Sequence, residues 1–326
     1  MEPEANETES LQVTRLFTIA ARLPQKEITY AGFVRISILW TLFGITLAGL
    51  SYSSYFIFGI EKVSLLSKNQ TLAMTAFNIQ LLSMAFGAAG LCCDFAYQLR
   101  HPDYTGTGQY ICIAIFELSY IHYSWARSQH IAFSVLPWGT KVCSWVVFFS
   151  PFLLIPQVIP PLLSAAGLSG NVIDILFIYL PVLAGVVTVL FDCFLLIAFF
   201  IYIRRHTVMA ATDQSPPQFM IITKFGGIAC IVGLTSVALL AAGTMSDDTD
   251  FLQNLSVGST ACVVLVFFVL LRMKVVLHWN EIRERMSESN RMELAKVLST
   301  GGRMDSISVH NLKLSLDEVF SRESRA

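Results

Sequence analysis

Runs of apolar residues long enough to cross a lipid bilayer recur along this chain, and they limit its fold more than any other feature. A helix needs about 20 mostly apolar residues to span the hydrocarbon core. Because lipid offers the backbone no hydrogen bonds, these runs must be helices rather than single strands. The segments, numbered 1 to 7 in chain order, are 33–59, 72–97, 109–127, 142–165, 171–203, 220–244 and 252–277.

The sequence therefore predicts an all-α, polytopic integral membrane protein whose seven transmembrane helices form one bundle. We divide the chain into a short polar N-terminal tail (1–31), the transmembrane bundle (32–277) and a cytosolic tail (278–326). The lipid bilayer is the first partner that this organisation implies.

Composition agrees with a membrane location. Hydrophobic residues make up 54% of the chain and charged residues only 14%, against about 25% charged residues in a typical soluble domain. Such a balance does not fit a disordered chain, a disulfide-rich secreted module or an ordinary soluble enzyme. The net charge of -1 gives no sign of nucleic-acid binding.

Segment 3 is the weakest of the seven, and it leaves two topologies open. If it does not span, six helices remain, the N-terminus is cytosolic, and only Lys62 and Lys68 among the loop cations lie outside. Counting basic residues favours this arrangement. The length of the apolar and aromatic run favours seven spans with the N-terminus outside, and we predict seven.

Charges near the later segments predict the orientation of the C-terminal half. Arg204 and Arg205 follow segment 5, whereas the loop after segment 6 contains Asp247, Asp248 and Asp250 and no basic residue. Cytosolic loops carry the excess of Lys and Arg. We therefore expect the loop between segments 5 and 6 and the C-terminus to be cytosolic. We expect the plasma membrane as the location, with an endomembrane as the alternative.

Ionisable residues inside the segments are the candidate ligand-binding residues. A charged group in the membrane costs at least a few kcal/mol, so it needs a partner or a function. Glu117 lies near the middle of segment 3, and Tyr120 shares its helix face. Asp94 and Asp174 lie near the outer mouth in the seven-helix arrangement. For Glu117 a purely structural interhelical hydrogen bond is the alternative, and for the two aspartates simple exposure to water.

Asp192 in segment 5 is predicted to form an intramembrane ion pair with Arg127 at the end of segment 3, with Lys224 as the alternative partner. Small residues four apart, Ala85 with Ala89 and Ala229 with Gly233, predict close helix–helix contacts.

Enzyme and metal motifs are missing from the sequence. The six histidines and seven cysteines are dispersed and have no metal-ligand spacing. We therefore expect no enzymatic activity, no cofactor and no metal.

The cytosolic tail is predicted to begin with an amphipathic helix. Val275, Trp279, Ile282 and Met286 recur on one helix face. Either an anionic membrane surface or a cytosolic protein could cover that face. After about residue 300 the tail becomes Ser-rich and is predicted to be flexible.

Three N-glycosylation sequons begin at Asn6, Asn69 and Asn254. Only sequons on the lumenal or external side can be modified. Seven spans place Asn6 and Asn254 outside, which makes the protein a glycoprotein, whereas six spans place Asn69 and Asn254 outside.

The overall plan resembles that of the seven-transmembrane, G-protein-coupled type of receptor. The likeness rests on the outer sequon at Asn6, the proline-bearing segment 4 with Trp145, the long segment 5 with Pro181 that ends in Arg204 and Arg205, and the helix after segment 7. It is a resemblance of topology.

This resemblance implies signal transduction: an extracellular small ligand would bind within the bundle, and a cytosolic signalling protein would meet the loop 206–219 and the tail. The alternative function is a transporter or channel for ions or small molecules that uses the intramembrane carboxylates Glu117 and Asp192. An enzyme acting on lipid has the least support.

Overall fold

A computed structural model describes residues 30–61, 76–101, 106–168, 170–209, 217–244 and 248–299, and the secondary structure in this part of the chain is helical. The α-helices are α1 (Tyr30–Tyr55), α2 (Ala76–Arg100), α3 (Thr107–Val135), α4 (Pro137–Leu154), α5 (Ile159–Ala165), α6 (Asn171–Met209), α7 (Pro217–Thr244) and α8 (Thr249–Ser299). A π-helical turn, Phe56–Glu61, continues α1, and a 3-10 turn, Ile155–Val158, joins α4 to α5.

Six of the helical stretches in the described residues are long and apolar enough to cross a membrane: Tyr30–Glu61, Ala76–Arg100, Pro137–Ala165, Tyr179–Arg205, Gln218–Gly243 and Thr249–Met286. They correspond to predicted segments 1, 2, 4, 5, 6 and 7 and indicate an integral, multi-pass membrane protein. Segment 3 is confirmed as a helix, α3, which has 29 residues but is not one of these six.

Helix α3 occupies the centre of the helix packing. It contacts α2, α4, α5, α6 and α7, whereas α1 packs against α2, and α6 packs against both α4 and α7. Helix α4 instead exposes large apolar side chains: Trp145, Phe148 and Phe152 are 64%, 66% and 73% exposed. A helix that exposes large apolar side chains while its neighbours bury polar ones is arranged for a lipid solvent.

Prolines shape the α4–α5 region. Pro160 and Pro161 lie at the start of α5, where no backbone N–H donor is needed. The helix tightens earlier, in the 3-10 turn that contains Pro156.

Within α4, Pro151 provides no N–H for the carbonyl of Val147. The hydroxyl of Ser150 donates to that carbonyl instead, over 2.7 Å. This substitution lets α4 continue through a proline in an apolar environment, where an unpaired carbonyl is costly.

The chain separates into two compact units, Met1–Met273 and Lys274–Ala326. Segment 7 was predicted to end at residue 277 and to be followed by an amphipathic helix, and helical structure continues without a break to Ser299. In the second unit, Arg285 donates to the carboxylate of Glu281 one helical turn earlier, and Asn280 donates to Glu284 over 3.2 Å. The predicted Ser-rich end lies outside the described residues.

Replacing Gly87 with alanine tests the closeness of α2 and α3. A Cβ atom at Gly87 would lie 2.8 Å from the backbone oxygen of Cys112 and 3.1 Å from the backbone nitrogen of Phe116. Since backbone atoms cannot turn aside, Gly87→Ala must push the helices apart, and we expect a loss of about 1–3 kcal/mol of stability. Thermal unfolding in detergent measures the loss.

Gly44→Ala in α1 is the matched control, because a Cβ there meets nothing within 4 Å. Alanine also favours helix over glycine, so this variant should unfold at the wild-type temperature or above it. Equal melting temperatures for Gly87→Ala and wild type would contradict the close approach of α2 and α3.

Candidate functional site

The polar side chains of α3 define the candidate site, because this central helix carries Glu117, Tyr120, His122 and Arg127. These side chains contact the 3-10 turn after α4, α6, α4 and α2, respectively. The site is therefore a series of interhelical polar contacts.

Tyr120 and Asp192 form the most buried of these contacts. The hydroxyl of Tyr120 donates to Oδ1 of Asp192 over 2.6 Å, and the two residues are 3% and 1% exposed. Sγ of Cys230 on α7 lies 3.8 Å from the same hydroxyl. One hydrogen bond and one sulfur contact thus connect α3, α6 and α7.

Two glycines on α7 allow α6 to pack closely against it near the Tyr120–Asp192 hydrogen bond. A Cβ at Gly233 would lie 2.8 Å from Oδ2 of Asp192, and one at Gly226 would lie 2.7 Å from the ring of Phe199. Asp192 and Phe199 are seven residues apart on α6, and Gly226 and Gly233 are seven residues apart on α7, so these two side chains of α6 each pack against a glycine of α7. The predicted close contact at Gly233 is thereby confirmed, and its partner is the Asp192 carboxylate.

Glu117 is held by α4–α5. Nε2 of Gln157, from the 3-10 turn, donates to Oε2 of Glu117 over 2.9 Å, and Gln157 is only 2% exposed. One and a half turns further along α3, Nε2 of His122 lies 3.2 Å from the hydroxyl of Ser150. Because that hydroxyl donates its hydrogen to Val147, the histidine nitrogen is assigned as the donor.

Asp94 has a structural role at the start of α3. Its Oδ2 accepts a hydrogen bond from the backbone N–H of Gln109, in the first turn of α3, over 2.8 Å. The residue before α3, Gly106, has no side chain that could cap the helix. A carboxylate at a helix N-terminus satisfies a free donor and suits the helix dipole. The side chain of Asp174 lies outside the described residues.

Arg127 does not form the ion pair expected with Asp192. Among the described residues, ion pairs join Arg35 to Asp250 and Arg285 to Glu281. The guanidinium of Arg127 instead lies 4.4 Å from the ring centroid of Phe77 on α2, a cation–π contact. The physical reason is distance along α3: Arg127 is two turns beyond Tyr120, the residue that reaches Asp192.

A small pocket of about 10 Å³ adjoins Arg127, Ser124, Gly226 and Cys230, which is about the minimum for one water molecule. Nε of Arg127 is buried and has no hydrogen-bond partner among the residues that the structure describes. In the described part of the chain, no three His, Cys, Asp or Glu residues are grouped as metal ligands would be.

A second polar cluster, which the sequence analysis did not identify, joins α1 to α8. Arg35 is 5% exposed and donates to Oδ1 of Asn254 over 2.8 Å, to Oδ1 of Asp250 over 2.9 Å and to Oε1 of Gln253. The sequence offered one signal for this cluster: Arg35 lies in apolar segment 1, which contains no acidic residue that could pair with it.

The predicted glycosylation site at Asn254 is part of this cluster. The residue lies inside α8, and its amide oxygen is bonded to Arg35. Asn6, the other predicted glycosylation site, lies outside the described residues.

Comparison with protein families, curated proteins and solved structures found no match for this chain. The class that the helices define is that of a multi-pass helical membrane protein. Its function must be inferred from the site itself.

Removal of the Tyr120 hydroxyl tests the α3–α6 contact. Tyr120→Phe leaves the buried Asp192 carboxyl without its donor, and such an unpaired group costs about 1–3 kcal/mol. We expect a lower melting temperature in detergent. Asp192→Asn keeps an acceptor oxygen for Tyr120 and should lose less stability than Asp192→Leu.

Tyr179→Phe is the matched control, since this tyrosine of α6 is 66% exposed. It should melt with the wild type. If Tyr120→Phe also melts with the wild type, the hydrogen bond does not stabilise the bundle.

Proposed function

We propose that this chain is a seven-span, receptor-like membrane protein that passes an external signal to a cytosolic partner. The observation that carries the proposal is the buried Tyr120–Asp192 hydrogen bond with Cys230 beside it, which couples three helices at one point. A change at Tyr120 would alter the position of α6 relative to α3 and α7. Packed helices shift between discrete arrangements rather than deforming continuously.

Helix α6 supplies a route to the cytosolic side. It is a single helix from Asn171 to Met209, so movement at Asp192 would be carried to Arg204 and Arg205 at its end. The partner would bind the loop 206–219 and the tail helix.

The Arg35 cluster supports seven spans over six. Arg35 lies in the second turn of α1, and Asp250, Gln253 and Asn254 lie in the first two turns of α8. Contact between the starts of these two helices favours their entry from the same membrane face. An even number of crossings must then separate the two starts, which requires α3 to span.

The orientation proposed for the bundle follows the charge distribution of its loops. The acidic residues before α8 favour an external start for α1 and α8, and the basic residues after α6 favour a cytosolic end for that helix. The C-terminus is then cytosolic, and the plasma membrane is the proposed location.

A cationic small ligand suits the deep site. Glu117 and Tyr120 lie one turn apart on α3. Glu117 accepts a hydrogen bond from the neutral amide of Gln157, and Tyr120 donates one to the carboxyl group of Asp192. An amine entering from outside would exchange with Gln157 at Glu117. Asp174 would lie nearer the mouth, while Asp94 would fix the start of α3.

A transporter or channel is the second candidate because two carboxyl side chains of the bundle have no cation beside them in the described part of the chain: Asp192, which is 1% exposed, and Glu117, which is half-buried. Among the described residues, neither Glu117 nor Asp192 lies within ion-pair distance of a Lys, Arg or His nitrogen. Buried carboxylates of this kind occur in proton and ion pathways.

Glu117→Gln separates the two candidates, since the amide keeps an acceptor for Gln157 but removes the charge. The protein is reconstituted in liposomes containing a pH-sensitive dye, and a pH gradient is imposed. We expect wild type and variant alike to match empty liposomes. A wild-type proton flux that Glu117→Gln abolishes would favour the transporter and contradict the receptor.

A panel of small cationic amines, screened by thermal shift, tests the receptor directly. We expect at least one amine to raise the melting temperature of the wild type and to leave Glu117→Gln unchanged. Tyr179→Phe is the control that should respond as the wild type does.

Glycosylation tests the seven-span topology. Asn6 should carry a glycan in eukaryotic cells, and Asn6→Gln should remove it and raise the electrophoretic mobility. Asn69→Gln should change nothing, because seven spans place Asn69 in the cytosol. A glycan on Asn69 would contradict both the topology and the receptor.

A further inference from the structure

The corner between α3 and α4 presents aromatic and basic side chains together. A single residue, Leu136, separates the two helices. Phe133 and Trp138 are 62% and 86% exposed there, and Lys141 and Arg205 are exposed beside them. We call these four residues the Trp138 patch.

Contacts within the patch hold both cations near the corner. Nη1 of Arg205, from α6, donates to the backbone oxygen of Ser134 over 3.4 Å, where the last turn of α3 leaves carbonyls unpaired. Nζ of Lys141 lies 5.9 Å from the ring centroid of Trp138. The cations are therefore gathered from two helices onto the end of a third.

The patch is positive and has no nearby acidic residue in sequence to neutralise it. No Asp or Glu occurs from Leu118 to Ile173 or from Cys193 to Thr212. The N-terminus of α4, whose first backbone hydrogen bond runs from Thr140 to Leu136 over 3.0 Å, adds its partial positive charge.

Exposed aromatic rings next to cations match the chemistry of a membrane interface. Tryptophan favours the headgroup level of a bilayer, and basic groups between helices bind acidic lipid headgroups. A soluble anion would use the cations but would gain nothing from Phe133 and Trp138, whereas a lipid uses both.

We propose that the Trp138 patch is a binding site for an anionic phospholipid, with the phosphate at Lys141, Arg205 and the start of α4 and the acyl chains along Phe133 and α4. The site rests on the membrane location of the bundle. The proposed orientation places it in the cytosolic leaflet, but binding does not depend on that orientation.

Native mass spectrometry of the full chain, titrated in detergent with phosphatidylserine or phosphatidylcholine, tests the site. The wild type should retain phosphatidylserine in preference. The double variant Lys141→Gln/Arg205→Gln should bind phosphatidylserine about thirtyfold more weakly, which corresponds to about 1 kcal/mol for each basic residue. Binding of phosphatidylcholine should not change.

The double variant Arg100→Gln/Lys224→Gln is the matched control. It removes the same charge from two exposed cations on α2 and α7 and should bind phosphatidylserine as the wild type does. Free phosphoserine at equal concentration should not displace the lipid. All four substituted side chains are exposed, so melting temperatures should stay at the wild-type value.

Equal weakening in both double variants would overturn the site, since binding would follow net charge alone. Wild-type affinity in Lys141→Gln/Arg205→Gln would place the lipid elsewhere, for example on the basic tail. Displacement by phosphoserine would replace the lipid site with a general anion site. None of these results changes the glycosylation test, which addresses topology separately.

Discussion

The proposed bundle depends on the hydrogen bonds between Arg35 on α1 and the first two turns of α8. A buried guanidinium is tolerated only when its donors are satisfied, and here Asp250, Gln253 and Asn254 supply the acceptors. The contact joins α1 to α8 at the starts of the two helices. The proposed number of spans, and with it the side of the membrane on which every loop lies, follows from this one cluster.

Polar contacts on α3 follow from the same constraint. Buried hydroxyls such as that of Ser128 bond to the backbone of their own helix. Glu117 and Tyr120 find their partners on neighbouring elements instead, Glu117 at Gln157 and Tyr120 at Asp192. These bonds fix the helices in one arrangement, and a ligand that exchanges with them could favour another. The proposed receptor function is thus a consequence of how the bundle satisfies its polar groups.

Hydropathy was enough to predict the helices, because each apolar run is local in sequence and lipid allows little else. The partners were not predictable, because they depend on packing between distant segments. Asp94 was predicted as a ligand-binding residue, and the hydrogen bond that its Oδ2 accepts at the start of α3 was not predicted. Asp192 was predicted to form an ion pair with Arg127, whereas in the structure it accepts a hydrogen bond from Tyr120. Gly233 was found because close helix contacts leave a local spacing of small residues.

Impermeant thiol labelling tests the central claim, the shared side of the starts of α1 and α8, most directly. Single cysteines are placed at Tyr30, Asp248 and Arg204 in a variant without native cysteines, and intact cells are treated with a membrane-impermeant maleimide. We predict labelling at Tyr30 and Asp248 in intact cells and at Arg204 only after permeabilisation. Labelling of Tyr30 and Asp248 from opposite sides would contradict the Arg35 contact and the seven-span bundle.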